Sequence, residues 1–386
     1  MTFGLVKVKM TQTIVILLNS TWNAYNFRSN LIRQLCDSGY KVIVVAPKDE
    51  YVEKVIQLGC EHYDIHLSGS SKSPISNFIL LLHYLKVFRK LRPDLVLSFT
   101  IKPNIYGSLI ARLMRVPIIC NVAGLGVSFS KRNWVYFLVL VLSRMTLKQA
   151  DYLFFQNKND QIIFKNKKLV KDGRSILIPG SGVDLKRFKP ITKHVNSSSK
   201  KIIKFIMISR LLKQKGIYEY IKSAEIIKKK YSHIDFHLVG FGEENNNLYV
   251  SECELKAFEE KGLIKFFGKA DEVDQLLQSY DCVVLPSYYG EGVPRILLEA
   301  SAMGKLCITT NSVGCVDAVE NDVTGFICQP KNVRDLAHKM IEFINLSDQK
   351  RQKMKCAARA KMVREFDEKY ILKIYLKTCE QLLKLN

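Results

Sequence analysis

The feature that most constrains the fold of this chain is an alternation of short apolar runs with helical segments, which occurs in two series. In the first series the helical segments include residues 29–37 and 75–91. The apolar runs, which we interpret as buried strands, are residues 14–18, 42–46, 95–99, 118–122, 152–155 and 175–178. Continuous apolar strands that alternate with helices are typical of a parallel sheet covered on both faces. The predicted fold class is therefore α/β.

A second series of the same kind follows a polar stretch, residues 189–201, where periodicity disappears and which we interpret as a linker. Its predicted strands are residues 202–208, 235–239, 264–267, 282–285, 306–309 and, as a short last strand, 325–328. A chain of 386 residues is too long for one ordinary core. We expect two Rossmann-like, doubly wound domains, residues 1–190 and 200–367, that face each other across a cleft. A last helix of about residues 368–386 is expected to return to the first domain.

The charge of the chain indicates acidic partners. Lys and Arg number 59 against 36 Asp and Glu, so the formal net charge is +23. Nucleic acid, anionic lipid headgroups and phosphorylated substrates are the partners that such an excess attracts. No nucleic-acid module with interleaved aromatic residues is recognisable, and nucleic acid is therefore not expected as a partner. A solvated basic surface is the alternative explanation of part of the charge.

The cysteine pattern points to a reducing compartment. Ten cysteines are scattered without a C-x-x-C pair, so neither zinc-ligand spacing nor a disulfide framework is visible. A D-x-D motif, a common metal–diphosphate clamp, is also missing. We expect a cytoplasmic protein that needs neither a metal nor another cofactor.

One apolar run, residues 135–142, is flanked by Lys131, Arg132, Arg144 and Lys148. It is shorter than the eighteen or so residues of a membrane-spanning helix. A buried core helix and a helix on a membrane surface both fit this pattern. If the run lies on a membrane, the protein is peripherally attached to the anionic inner face of the plasma membrane.

The stretch from Glu291 to Glu299 suggests a ligand-binding site. It directly follows the predicted strand 282–285, and Pro294 suits the first position of a helix that we expect over residues 294–303. Free N–H groups at a helix start attract anions. A loop carboxylate beside an anion site suits a ligand with both hydroxyls and phosphates, and nucleotide sugars fit that description.

Two cations are expected in the same cleft. Arg210 and Lys215 follow the first strand of the second series, so they emerge at its carboxyl end. A forked guanidinium and a compact ammonium suit a diphosphate. Taken alone, residues 209–216 would be interpreted as an ordinary basic loop. The Glu291–Glu299 stretch three strands later favours a ligand-binding role instead.

Together, Arg210, Lys215-Gly216 and Glu291-x7-Glu299 resemble the donor-site signature of family 4 glycosyltransferases. These are retaining enzymes with the two-Rossmann-domain glycosyltransferase B fold. Residues 179–188, which resemble the family's segment before the interdomain linker, extend the likeness over nearly the whole chain. Within the family the first-domain loops look most like those of bacterial enzymes that build lipid-linked polysaccharides and N-acetylated glycans.

The resemblance implies a role for each matching residue. Arg210, Lys215 and Glu291 would be catalytic: the two cations would hold the donor diphosphate, and Glu291 would bind the transferred sugar. The other expected donor contacts are Gly240, Gly242, Lys269, Gly292, Val293, Pro294 and Glu299, the last of which would bind the ribose. Glu320 either closes the far wall of the donor pocket or is a helix-surface charge.

Acceptor residues are expected on three first-domain loops, residues 19–28, 100–106 and 123–130. The candidates in these loops are Arg28, Lys102, Asn104, Gly124 and Gly126. Arg28 could also be a first-turn helix charge, and Lys102 could cap a strand end. Many relatives have a histidine just before the glycine that corresponds to Gly124, but here the residue is Ala123.

The resulting hypothesis is a retaining, metal-independent transfer of a hexose or N-acetylhexosamine from a UDP-sugar. The expected acceptor is a glycan linked to a polyprenyl diphosphate in the membrane. One alternative is a nucleotide-sugar epimerase on the same fold, although no acid–base pair for it is visible. The other is a non-enzymatic basic protein that binds anionic membrane or nucleic acid, but this leaves the Glu291–Glu299 stretch unexplained.

Overall fold

Each predicted series forms one parallel sheet in the computed structural model, which describes residues 11–66, 74–124, 134–190, 202–242 and 246–385. All twelve predicted strands are present, with ends within one residue of the prediction. The α/β fold class is therefore confirmed. Most of the predicted linker, residues 191–201, lies outside the described residues, as do Gly126, Lys131 and Arg132.

The first sheet has seven strands in the order β3-β2-β1-β4-β5-β6-β7. Their bounds are β1 Thr13–Leu17, β2 Lys41–Ala46, β3 Glu61–Asp64, β4 Leu95–Phe99, β5 Ile118–Val122, β6 Tyr152–Phe155 and β7 Ser175–Leu177. The sequence analysis missed β3. This edge strand carries polar and charged side chains, so it lacks the apolar run of its neighbours.

The helices around this sheet are α1 Thr21–Asp37, α2 Val52–Ile56, α3 Pro74–Leu91, α4 Ser108–Met114, α5 Trp134–Met145 and α6 Lys158–Asn166. A π-helical turn, Pro103–Gly107, precedes α4. Helices α1 and α3 pack on opposite faces of the sheet.

Two loop predictions in this domain are wrong. Helix α1 begins at Thr21 rather than at residue 29, because Ser20 caps it by accepting a hydrogen bond from the Asn23 amide at 3.1 Å. Arg28 therefore lies in the body of a helix, not in a loop or a first turn. Residues 101–107 are also helical and lead directly into α4.

The second sheet has six strands in the order β10-β9-β8-β11-β12-β13. Its strands are β8 Ile203–Ile208, β9 Ile234–Val239, β10 Lys265–Phe266, β11 Cys282–Leu285, β12 Leu306–Thr310 and β13 Gly325–Cys328. The helices of this domain are α7 Ile217–Lys228, α8 Glu252–Glu260, α9 Val273–Gln278, α10 Arg295–Ala302, α11 Cys315–Ala318, α12 Val333–Ile344 and α13 Asp348–Glu365.

The last helix, α14 (Glu368–Lys384), packs on the first domain rather than on the second. Its apolar face joins the core between the first sheet and α1, where Tyr375 is 1% exposed. The chain thus crosses between the domains twice. The two crossing segments are joined by hydrogen bonds from the Val183 amide to the Phe366 carbonyl and from the Glu368 amide to the Val183 carbonyl.

Candidate active site

An ion pair between Lys215 and Glu291 forms the centre of the candidate site. The ammonium Nζ lies 2.5 Å from Oε2 of the carboxylate. The two residues follow β8 and β11, which are neighbours in the sheet, so the carboxyl ends of these strands bring them together. Burial lowers the pKa of Lys215, but the Glu291 carboxylate outweighs this effect, and the pKa is raised overall. Lys215 is therefore a permanent cation at neutral pH.

The second carboxylate oxygen of Glu291, Oε1, is buried and has no hydrogen-bond partner among the described residues. A buried acceptor without a donor is costly. A hydroxyl group of a ligand in the cleft would supply that donor. Glu291 thus has one oxygen paired with Lys215 and one buried oxygen without a donor among the described residues.

Arg210 is exposed at the end of β8, and its Nη2 donates a hydrogen bond of 3.2 Å to the Tyr289 hydroxyl. Lys215 lies over the ring of the same tyrosine, 5.2 Å from its centroid. Tyr289 therefore contacts both cations. Two positive charges, one exposed and one paired with Glu291, thus lie at the carboxyl end of β8.

Helix α10 begins one residue later than predicted. Pro294 is its N-cap, with an extended ψ of 118°, rather than its first helical residue. Arg295 is the first residue of the helix, and its Nε donates to Oε1 of Glu299, one turn later, at 3.0 Å. This bond fixes the Glu299 carboxylate near the cleft. Val293 is 4% exposed, and Pro294 is also buried. These two side chains anchor the start of the helix.

The glycine turn after β9 lies against the end of β8. A Cβ atom at Gly240 would be 2.1 Å from the Ser209 carbonyl oxygen, so only glycine allows this approach. A Cβ atom at Gly242 would likewise be 2.5 Å from the Tyr249 ring, so glycine is needed there too. Close by, the Gly240 amide donates to the Gly268 carbonyl at 2.8 Å, next to Lys269.

The first domain touches the second at this edge of the cleft. The Lys269 ammonium pairs with the Glu50 carboxylate, which raises the pKa of Lys269. The Tyr51 hydroxyl donates to Asp271, and burial together with this carboxylate raises the pKa of Tyr51 to about 12. The Lys269–Glu50 ion pair and the Tyr51–Asp271 hydrogen bond therefore both join the two domains.

A second interdomain contact lies at Gly292. Its amide donates to the Ala123 carbonyl at 3.1 Å, so in this structure it points to the first domain. Gly124, with a φ of +114°, lies so close that a Cβ atom there would be 2.7 Å from the Gly292 nitrogen. The expected amide contact of Gly292 with the sugar would therefore compete with Ala123.

Two residues of this contact, Gln156 and Asn157, were missed by the sequence analysis. Asn157 Nδ2 donates to the Glu291 carbonyl at 3.1 Å. Gln156 Nε2 donates to Oδ1 of Asn121 at 3.1 Å. A signal was present, because both residues directly follow the predicted strand 152–155 at the cleft edge of the sheet.

Comparisons with known proteins decide the family. Residues 15–157 match the model described as "Glycosyl transferase 4-like", and residues 188–361 match "Glycosyl transferases group 1". The chain is 32% identical to the N,N'-diacetylbacillosaminyl-diphospho-undecaprenol alpha-1,3-N-acetylgalactosaminyltransferase of Campylobacter jejuni, over 93% of this chain and 96% of that protein. The chain is a family 4 glycosyltransferase.

A more distant relative of this glycosyltransferase is the Escherichia coli UDP-Gal:alpha-D-GlcNAc-diphosphoundecaprenol alpha-1,3-galactosyltransferase, 28% identical over 70% of this chain and 71% of that protein. Among solved structures, Anabaena HepE in complex with UDP-glucose matches with a TM-score of 0.78, 18% identity and coverage of 96% and 99%. Thermosynechococcus elongatus sucrose-phosphate synthase matches with a TM-score of 0.79, 16% identity and coverage of 97% and 100%. The glycosyltransferase B fold is thus confirmed.

Arg28 of the glycosyltransferase lines a cavity of about 310 Å³ between α1, α14, Arg187 and Arg295. Its guanidinium lies 4.3 Å from the centroid of the Phe99 ring, and its Nε has no hydrogen-bond partner among the described residues. Burial lowers the pKa of Arg28 to about 10. A buried cation at an interdomain cavity fits an anion contact.

The other acceptor candidates lie elsewhere. Lys102 begins the helical segment that leads into α4, on the opposite side of the first sheet from α1, and burial lowers its pKa. Asn104 is 3% exposed and its Nδ2 donates to the Asn121 carbonyl at 2.8 Å. Asn104 is thus a buried link between β5 and the π-helical turn, and its contact with an acceptor stays a prediction.

Glu320 pairs with Lys361 of α13, whose Nζ lies 2.7 Å from Oε1. Glu320 lies beyond the end of α11, so it is not a helix-surface charge, and its contact with the donor pocket stays a prediction. No group of three or more His, Cys, Asp or Glu side chains within the described ranges could hold a metal ion.

Proposed function

We propose that this glycosyltransferase moves a hexose or N-acetylhexosamine from a UDP-sugar to a glycan carried by a polyprenyl diphosphate, with retention of configuration and without a metal. The names of its two relatives support the acceptor class, because both act on sugars linked to diphospho-undecaprenol. The fold match to HepE with UDP-glucose supports the donor class. Synthesis of a surface polysaccharide or glycan is the corresponding process.

The observation that carries this proposal is the Lys215–Glu291 pair with its unpartnered Oε1. When a nucleotide sugar reacts, negative charge grows on the departing phosphate. Arg210, Lys215 and the start of α10 supply positive charge and dipole at that point. The departing phosphate accepts the proton of the acceptor hydroxyl on the same face of the sugar, and Glu291 Oε1 accepts a hydrogen bond from a sugar hydroxyl.

The remaining donor contacts follow the strand ends of the second sheet. Glu299, oriented by Arg295, hydrogen-bonds the ribose. The turn at Gly240 and Gly242 and the main chain at Lys269 border the base. A closed position of the two domains, as at the Glu50–Lys269 contact, would cover the nucleotide and exclude water.

A lipid-linked acceptor requires contact with a membrane, and the first domain offers a surface for it. We call this surface the α3–α5 face. Its side chains are strongly exposed and apolar: Ile75, Phe78 and Leu82 of α3, Leu109 and Leu113 of α4, and Phe137, Val141 and Met145 of α5. Exposed apolar surface of this extent marks an interaction site.

The charge around the α3–α5 face suits anionic lipid. Asp94 is the only acidic residue between positions 65 and 150, whereas basic residues such as Arg112, Arg115 and Arg144 are exposed. Near an anionic membrane each basic residue contributes about 1 kcal/mol. Among the described residues no helix is both long and apolar enough to span a bilayer. Peripheral attachment at the cytoplasmic face is therefore part of the proposal.

The test is a panel of UDP-sugars with polyprenyl-diphosphate-linked acceptors, scored by released UDP and by the anomeric configuration of the product. We expect one UDP-sugar to be used with retention and Glu291→Gln to reduce turnover. Inversion would contradict the mechanism, and no transfer with any acceptor would contradict the function. Conversion of the free donor without an acceptor would indicate the epimerase instead.

A further inference from the structure

We propose that Asn157 is a positioning residue for Glu291, which couples closure of the two domains to the alignment of the carboxylate that binds the sugar. Asn157 belongs to the first domain and donates a hydrogen bond to the Glu291 main chain of the second. The inference rests on the proposed role of Glu291 in transfer. Nothing in the family likeness assigns a role to Asn157.

The side-chain amide of Asn157 has a single possible orientation. Its Oδ1 accepts from the Asp160 amide at 2.8 Å and so caps α6. Its Nδ2 donates to Oδ2 of Asp160 at 2.9 Å and to the Glu291 carbonyl at 3.1 Å. Both protons and the oxygen are therefore used. At 3% exposure the side chain has no room for another rotamer.

The main chain at Glu291 is held by both domains. The Glu291 amide donates to the Val313 carbonyl at 3.3 Å within the second domain. Its carbonyl accepts from Asn157, and the following amide, of Gly292, donates to the Ala123 carbonyl, both in the first domain. The peptide between Glu291 and Gly292 is thus fixed on both sides only when the domains are together.

Close packing around Gly292 restricts the tilt of this peptide. A Cβ atom at Gly314 would lie 1.7 Å from the Gly292 carbonyl oxygen, and one at Gly292 would lie 2.3 Å from Oε1 of Gln156. The peptide is therefore enclosed by the Gly314 backbone of the second domain and by the Ala123 carbonyl and the Gln156 side chain of the first. In such a contact a single hydrogen bond to the Glu291 carbonyl sets the direction in which the carboxylate leaves the main chain.

Because Asn157 contacts the Glu291 main chain and not the proposed donor contacts, its loss should affect turnover but not donor binding. The proposed donor contacts at Glu299, Gly240 and Lys269 are in the second domain and do not involve Asn157. Without the Asn157 bond the donor still binds, but the Glu291 carboxylate, although still paired with Lys215, is aligned less precisely with the reacting sugar. The first domain thus contributes to the alignment of a second-domain carboxylate without touching the donor.

The test compares Asn157→Ser with Asn332→Ser. Serine keeps a helix cap but is too short to reach the Glu291 carbonyl. Asn332 is a matched control, because it caps α12 by accepting from the Asp335 amide at 3.1 Å and belongs to the second domain itself. We expect Asn157→Ser to lower kcat about tenfold with the UDP affinity unchanged, and Asn332→Ser to leave both unchanged.

Two further readouts distinguish positioning from a general loss of stability. In the Glu291→Gln background, Asn157→Ser should lower kcat less than about threefold, because the carboxylate that it positions is gone. Backbone hydrogen exchange of residues 286–296 should be about tenfold faster in Asn157→Ser and unchanged in Asn332→Ser. Additive effects in the double variant, or unchanged exchange, would overturn the inference.

The exchange measurement does not depend on activity. If the wild type transfers no sugar but exchange accelerates as expected, the proposed function fails while the mechanical coupling stands. If the wild type is active and Asn157→Ser has the kcat of the wild type, the positioning role of Asn157 is wrong and the proposed function stands.

Discussion

The Lys215 ammonium lies 2.5 Å from the Glu291 carboxylate and joins the carboxyl ends of β8 and β11 at the point where the second sheet changes winding direction. A donor diphosphate that approaches Lys215 must therefore share this cation with Glu291. The same pair thus links the expected phosphate contact to the expected sugar contact. Arg210, whose guanidinium donates to the Tyr289 hydroxyl, is exposed, and an outer phosphate is its expected contact.

Removal of Arg210 should impair turnover strongly. Arg210→Ala takes away a preorganised cation where charge develops on the leaving phosphate, so we expect a barrier increase on the order of 3 kcal/mol, or roughly a hundredfold loss of kcat. Lys213→Ala is the control, since Lys213 is an exposed cation in the neighbouring turn. UDP release in steady state measures both, and full turnover by Arg210→Ala would refute the assignment.

Above neutral pH, the stability contributed by the Lys215–Glu291 pair should change only at the alkaline end, where Lys215 titrates. The pKa of Lys215 is raised above its ordinary value of 10.5, despite the opposing effect of burial, because of the Glu291 carboxylate. The contribution is therefore fully present below pH 10.5 and is lost as the pH rises through the folded-state pKa. Urea unfolding of the wild type and Glu291→Gln should show a constant difference between about pH 7 and about pH 9.

A shrinking difference between the wild type and Glu291→Gln within that neutral window would mean that Lys215 loses its proton there. Lys339→Gln is a suitable comparison, since Lys339 pairs with Glu342 on the surface of the second domain. Its effect on unfolding should be small at every pH below about 9, because surface ion pairs contribute at most about 1 kcal/mol.

Replacement of Arg28 should separate stability from function. In Arg28→Met an apolar chain of similar length takes the place of a buried cation whose Nε is unpartnered. Exchange of a buried charge for an apolar group is often neutral or stabilising, by about 1 kcal/mol or more. We expect an unchanged or higher midpoint of unfolding together with at least a tenfold higher KM for the acceptor. An unchanged KM would remove Arg28 from the acceptor site.

The α3–α5 face should govern binding to anionic vesicles. Phe78 and Leu113 are 60% and 68% exposed, and a carboxylate at either position would oppose insertion into lipid. Phe78→Glu and Leu113→Glu should each weaken binding about tenfold or more. Val363→Glu is the control, because Val363 is an exposed apolar residue of α13 in the second domain. Co-sedimentation with vesicles containing phosphatidylglycerol measures the effect.

Binding by the wild type should also weaken in high salt or with purely zwitterionic vesicles, because part of the attraction is electrostatic. Equal loss of binding in Val363→Glu and in the two first-domain variants would contradict a localised membrane surface. Salt-resistant binding to neutral lipid would contradict the electrostatic part alone.

The strands were predictable because nearly all of them are buried on both faces. Cys282–Leu285 is an uninterrupted apolar run and Leu95–Phe99 is interrupted only by Ser98, and both strands are fully buried in the structure. Strand β3, Glu61–Asp64, lies at the sheet edge, where two of its side chains are exposed and the apolar signal disappears. The start of helix α1 at Thr21 was missed because polar residues in its first turns obscure the helical pattern, although Ser20 is a recognisable N-cap.

The second-domain part of the site was predictable for a different reason. Glu291 and Arg210 lie a few residues beyond strands whose ends could be read from the sequence, so their shared edge followed from the topology. Asn157 could not be found in this way. Its pattern with Asp160 is that of a helix cap, and its bond to Glu291 depends on how two domains meet, which no local pattern encodes.

Helix α14 has a consequence for how the protein is made. It supplies Ile371, Tyr375 and Leu382 to the core beneath the first sheet, yet it is synthesised after every strand of the second domain. The core of the first domain therefore stays incomplete until the ribosome has synthesised the second domain and α14. Although encoded first, the first domain is the last to complete its fold.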